Sequence, residues 1–123
     1  MALGFDWLTV QYLPTAQLGR LGEDFAWRLI VRHGGRILRR NVEVANGEID
    51  ILATIDGVRT AVEVRSIRGE PGPNRNNPLE AFDHAKAIQV RRLAGTLRCS
   101  RVDLIGVRFW HKGVGLHWVP NIC

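Results

Sequence analysis

The chain has 123 residues, 46% of them hydrophobic, which is the size of one domain with a real core and too small for two. Seventeen basic against 12 acidic residues give a net charge of +5, and fifteen of the 17 are arginine, a bias that suits a phosphate-binding surface but also follows from genome composition. No run approaches the roughly 18 apolar residues of a membrane span, the first residues lack a basic segment followed by a long apolar run, and Cys99 and Cys123 lack zinc or disulfide spacing, so the expectation is a cytoplasmic protein without a secretory signal and with free thiols.

Residues 1–14 read as an N-terminal extension and 15–121 as one domain. Thr15 is placed to cap a helix running to about His33, with Leu18, Leu21, Gly22, Phe25 and Leu29 on one face and Gly34-Gly35 as its stop. Residues 36–44 form the first expected strand, and Asn46-Gly47 signals a hairpin into a second strand over 48–54. Asp56-Gly57 suits the central positions of a type I′ turn, where both residues need positive φ. That turn leads into a third strand over 58–67 and fixes its register, so that Ile55 pairs with Val58, Asp50 faces Glu63 and Glu48 faces Arg65. The stretch 68–77 is rich in breakers and reads as a loop facing the substrate. Asn77-Pro78-Leu79-Glu80 starts a second helix that runs to about Leu97, and strands over 101–110 and 116–119 complete the chain. The order α-β-β-β-α-β-β implies an α+β fold in which helices pack on a mixed sheet.

The facing acids raise a chemical question. Opposed residues of antiparallel strands hold their Cβ atoms about 4.5–5.5 Å apart, close enough for like charges to cost up to roughly 1 kcal/mol in water. A divalent cation removes that cost, and Mg²⁺ commonly takes one or two protein carboxylates while keeping sites for water and a phosphate. The same sequence is also satisfied by solvated acids, by one protonated acid, or by a longer turn that moves the register. Lys86 falls in the middle of the apolar arc formed by Leu79, Phe82, Val90, Leu93 and Leu97 on the second helix. It either snorkels past the core to solvent or sets a cation beside Asp50 and Glu63. His33, His84, His111 and His117 have no metal-ligand spacing and read as surface residues, and the four tryptophans read as core or interface anchors.

Six motifs recur in order: Gly19-x-x-Gly22-Glu23-x-x-Ala26, Arg40-Asn41, Gly47-Glu-Ile-Asp-Ile-Leu-Ala53, Val62-Glu-Val-Arg65, Lys86, and Val102-Asp103-Leu-Ile-Gly-Val. Together they resemble the YraN family, small bacterial proteins similar to restriction-endonuclease-like nucleases of the PD-(D/E)xK superfamily. The resemblance implies a restriction-endonuclease-like core and an endonuclease that hydrolyses phosphodiester bonds with Mg²⁺ or Mn²⁺. Its metal ligands would be Glu23, Asp50 and Glu63, with the Val64 carbonyl as a further oxygen. Asp50, Glu63, Arg65 and Lys86 would be catalytic, and Arg40, Arg68 and Arg75 would contact nucleic acid, DNA ahead of RNA. The superfamily's third-strand lysine is Arg65 here, and an arginine expected two positions later is Ile67. The alternative is therefore a weakened relative that binds nucleic acid or a protein partner without cutting. Oligomeric state is not legible at this level.

Overall fold

Asp56 and Gly57 adopt φ of 52° and 77°, the paired positive values of a type I′ turn. The computed structural model describes residues 5–45, 47–72 and 84–122. Its elements in order are α1 (Trp7–Val10), α2 (Thr15–Arg32), β1 (Arg36–Val44), β2 (Gly47–Ile55), β3 (Val58–Arg68), α3 (His84–Thr96), β4 (Arg101–Trp110) and β5 (Gly113–Val119). The five strands form one sheet in the order β1-β2-β3-β4-β5. All neighbours are antiparallel except β3 and β4, which α3 connects as a parallel crossover. The mixed sheet is the one expected from the element order.

α2 and α3 cover opposite faces of the sheet, and each closes its own core. On the α2 side, Leu18, Ala26 and Ile30 pack on Ile51, Ala53, Ile55, Val62, Val64, Ile105, Val107 and Phe109. On the α3 side, Val90, Leu93 and Ala94 pack on Val42, Ile49, Leu52, Ala61 and Val102. α2 ends in a Schellman motif: Gly34, at φ 93°, donates to Val31 O, and Gly35 donates to Ile30 O.

Several expectations shift. Pro14 holds the N-cap position of α2 without a side-chain bond, so Thr15 is its first helical residue and not its cap. Gly47 is paired with Val44 and belongs to β2, while Asn46 lies outside the described residues. β5 starts at Gly113, earlier than expected, because β4 supplies a partner for each of its residues as far as Trp110 opposite Gly113. The helix start at residues 77–80 also lies outside the described residues. Within 1–14, Asp6 caps the short α1 through its bond from Leu8 N, and Val10 is buried in the α2-side core. No described helix is long and apolar enough to cross a membrane.

One irregularity positions everything that follows. Ile51 belongs to the α2-side core and Ile49 to the α3-side core, although residues two apart on a regular strand share a face. The same reversal occurs on β1, where Arg40 reaches Asp24 of α2 while Val42 packs on the α3 side. Between Arg40 and Val42 stands Asn41 at φ 51°. Both strands therefore turn over together at Asn41 and Asp50.

Candidate active site

The turn-over opens a notch in the sheet. The expected register of β2 with β3 holds from Ile55–Val58 to Ile51–Val62, and the backbone pairing stops there. Beyond it, the Asp50 side chain takes the place of the missing backbone acceptor: its Oδ2 accepts the Val64 N–H at 2.8 Å. Val64 thus meets Asp50 through its N–H.

Glu63 stands one residue before Val64 and points to the α3 side. Its side chain is only 5% exposed, with Oε1 3.3 Å from Arg65 Nη2 and 3.5 Å from Lys86 Nζ. Its Oε2 is buried and has no hydrogen-bond partner. Lys86 therefore reaches Glu63 of the acidic pair, in line with the second of its two expected arrangements. Arg65 leans along its own strand onto Glu63, not across to Glu48, because β2 has already parted from β3 at that level.

Glu23 approaches from the other face. Its neighbour Gly22 lies so close to β3 that a Cβ there would fall 1.8 Å from Ser66 Oγ, so only glycine lets α2 come this near. The Asn41 amide nitrogen, oriented by its neighbours, donates to Glu23 Oε1 and to Glu48 Oε1, each at 3.0 Å. Asn41 and Glu48 were not singled out for a role by sequence. The sequence signal for Asn41 is its place in the Arg40-Asn41 motif, a short polar residue of the kind that tolerates the positive φ found here.

Burial dominates the electrostatics. It pushes the Glu63 pKa up to about 7, helped by the Asp50 charge and opposed by Lys86 and Arg65. Glu23 is also raised to about 7, by burial and then by Asp50, with Arg40 opposing. Asp50 is raised by burial, with the Val64 N–H opposing. A group held this far from its ordinary value at a break in the sheet is a functional-site candidate with a physical cause.

The expected ligand set is only partly assembled. Among the described residues no group of three His, Cys, Asp or Glu side chains is arranged to hold a metal ion, so Glu23 does not close a three-carboxylate site. Asp50 and Glu63 retain the donor chemistry a hard cation takes, paired carboxylates with one buried oxygen lacking a partner.

The expected phosphate contacts fare differently. Arg40 is held internally, 2.8 Å from Asp24 Oδ1 and 4.0 Å from Glu23 Oε1, with its guanidinium 5.2 Å from the Trp27 ring centroid. Arg68 donates to the carbonyls of Val10 and Leu13, tying the N-terminal segment to β3 instead of facing a ligand. Arg75 lies outside the described residues.

A second buried acid has a purely internal role. Asp103 is fully buried, and it accepts from Arg101 Nε and Nη2 at 2.8 Å each and from Trp118 Nε1 and Asn121 N at 2.9 Å each. Burial alone would raise its pKa, but the bonds from Arg101, Asn121 and Trp118 outweigh it and hold the carboxyl below its ordinary value.

A mixed five-stranded sheet with helices on both faces, notched where its second and third strands part around buried acids, defines a mixed α+β domain. Residues 22–107 match the model of the uncharacterised protein family UPF0102, and the chain belongs to that family, the YraN group which its motifs resemble. A UPF0102 protein of Clavibacter michiganensis is 36% identical over 105 residues, covering 78% of this chain and 85% of the relative. One from Leifsonia xyli is 35% identical over 115 residues, covering 86% and 95%. The Mycobacterium tuberculosis relative is 32% identical over 115 residues, covering 87% and 89%. Among solved structures, SSO0001 aligns with a TM-score of 0.46 at 12% identity, covering 89% of this chain and 54% of that one. Pyrococcus furiosus SfsA, solved in complex with Ca²⁺, aligns with a TM-score of 0.37 at 14% identity, covering 86% and 63%. The chain thus spans less than two thirds of either solved structure.

Proposed function

We propose that the notch between β2 and β3 binds the backbone of a nucleic acid, DNA ahead of RNA, and hydrolyses a phosphodiester bond there with Mg²⁺ or Mn²⁺. The observation that carries this reading is Glu63: a buried carboxylate with one unpartnered oxygen, beside Asp50 and two cations. Asp50 and Glu63 are the residues that would hold the ion, which when bound supplies charge to the scissile phosphate and an acidified water. Arg65 cannot release a proton near neutral pH, so its role is electrostatic, to hold non-bridging phosphate oxygens. Lys86 sets its ammonium 3.5 Å from the same carboxylate, placed to orient water or to offset charge on the departing oxygen. Glu23 holds Asn41, and with it the turn-over that creates the notch. The net charge of +5 attracts polyanions over a longer range.

Incubation with branched, flapped and single-stranded DNA tests the proposal. Cleavage is expected with Mn²⁺, is abolished by chelator, and is lost in Asp50→Asn while binding persists. Absence of cleavage on every substrate with both Mg²⁺ and Mn²⁺ would sink the hydrolytic reading. A second reading, binding without cleavage, draws on the arginine in place of a strand lysine and on the incomplete ligand set. It expects salt-dependent binding, with log K falling against log salt, unchanged by Asp50→Asn.

A further inference from the structure

The two edges of the sheet are built differently. β1 carries Arg36, Arg39, Arg40 and Glu43 and a register shift between Ile37 and Arg39, the charges and irregularity that keep an exposed strand from pairing with another chain. β5, at the other edge, reads Gly-Val-Gly-Leu-His-Trp-Val, without one charged residue in a chain that is 24% charged. Its pairing with β4 runs unbroken from Leu104–Val119 to Trp110–Gly113, so its outer edge is a regular row of backbone donors and acceptors. Val114 and Trp118 pack on the α2-side core. Leu116, between them and opposite Val107, shares that face yet is 41% exposed.

We infer that β5 is a dimerisation edge, on which a second copy of this chain lays its own β5 antiparallel about a twofold axis at Leu116. Leu116 is the central residue of the strand, and the sequence on either side of it is self-complementary. In this register Leu116 meets Leu116 of the second copy, and Val114 meets Trp118, so every pair on the α2 side is apolar. On the other side His117 meets Gly115, over which the Trp110 ring of the same chain lies, so the imidazole of one copy comes to an aromatic face of the other. No like charges are opposed, a condition that matters for two molecules each carrying +5. The symmetry selects the same chain over a foreign strand, because both halves of the pattern are present in one sequence. Opposed residues share a face, so both α3 sides, and both notches, lie on the same side of the joined sheet.

Sedimentation velocity of the full chain, from low micromolar to sub-millimolar protein, tests this. The expected result is a mass that doubles with concentration. Leu116→Lys sets two ammonium groups against each other on the axis and stays monomeric, with the melting temperature of the dilute wild type because the side chain is exposed in the single chain. In a Cys99→Ser, Cys123→Ser background, Leu116→Cys forms a covalent dimer under mild oxidation, whereas His117→Cys, one residue off the axis, does not. A chain monomeric throughout that range, a dimer that survives Leu116→Lys, or equal cross-linking through position 117 overturns the inference.

Discussion

Asp103 and Glu63 lie one residue apart in the register of β3 with β4, since Asp103 is opposite Val62, and both are buried. They are otherwise opposites. Asp103 faces the α2 side, and each of its oxygens accepts two hydrogen bonds. Glu63 faces the α3 side with one oxygen crowded by two cations and the other without a partner. One carboxylate is held ionised below its ordinary pKa, the other raised to about 7. The difference separates an acid that completes a fold from one the fold tolerates at a cost, and such tolerance concentrates where chemistry is done.

Deleting the satisfied acid should give the largest effect. Asp103→Ala leaves the Arg101 guanidinium and the Trp118 indole N–H without their partner, and a loss of about 3–5 kcal/mol in chemical denaturation is expected. Less than about 1 kcal/mol would show that Asp103 is not the anchor described.

Adding Mn²⁺ should make the second region resemble the first. At a hundredfold excess over the dissociation constant, an ion held by Asp50 and Glu63 stabilises the folded chain by about 2.7 kcal/mol. The measurement is the melting temperature at pH 8 with and without chelator. A shift that persists in the Asp50→Asn, Glu63→Gln double variant would place the ion elsewhere.

Glu63→Gln should stabilise, the opposite sign to Asp103→Ala. Removing a carboxylate whose ionised form is disfavoured by burial gains on the order of 1–2 kcal/mol at pH 8, less than the full shift because Lys86 and Arg65 lose their partner. The gain disappears below the ordinary value of 4.5, where the unfolded chain is protonated too. A loss of stability at pH 8 would reverse the comparison.

The pH profile of the wild type combines both regions. For Glu23 and Glu63 the folded pKa of about 7 exceeds the ordinary 4.5, so their contribution is fully present below 4.5 and is lost as pH rises through about 7. Asp103, held below its ordinary 3.8, contributes above that value and loses its contribution as pH falls. Stability should therefore peak at about pH 4–5, with Glu63→Gln flattening the upper limb and Asp103→Asn the lower. A profile that rises from pH 5 to 8 would contradict the raised carboxylates.

The satisfied and unsatisfied regions were unequally legible. Asp56-Gly57 demanded a turn that few other dipeptides favour, and that turn set the register as far as Ile51–Val62. Lys86 was legible as a cation in an apolar arc, but the arc left two directions open and the buried Glu63 carboxylate decides between them. The parting of β2 from β3 was not, because Ile49-Asp50-Ile51 reads as plain alternation and only tertiary packing sends Ile49 to the opposite face. Arg68 looked like a loop residue awaiting phosphate, since nothing local reveals that carbonyls 55 and 58 residues earlier claim it. Asp103 stood in a motif without a role because its partners at 101, 118 and 121 meet only through the sheet. The first residues of β5 were missed for the low strand propensity of Gly113 and Gly115, which pairing with β4 overrides.

Gly22 sets a stand-off. With no methyl between the α2 backbone and Ser66, residue 23 is delivered as near the sheet as a helix allows. An alanine at 22 would act as a shim, lifting that turn of the helix away from β3. The Glu23 carboxylate would then sit in wetter surroundings and farther from Asp50, and its pKa would relax toward 4.5 although no charged group had been changed. The acidity of the cleft is in this sense tuned by a missing methyl.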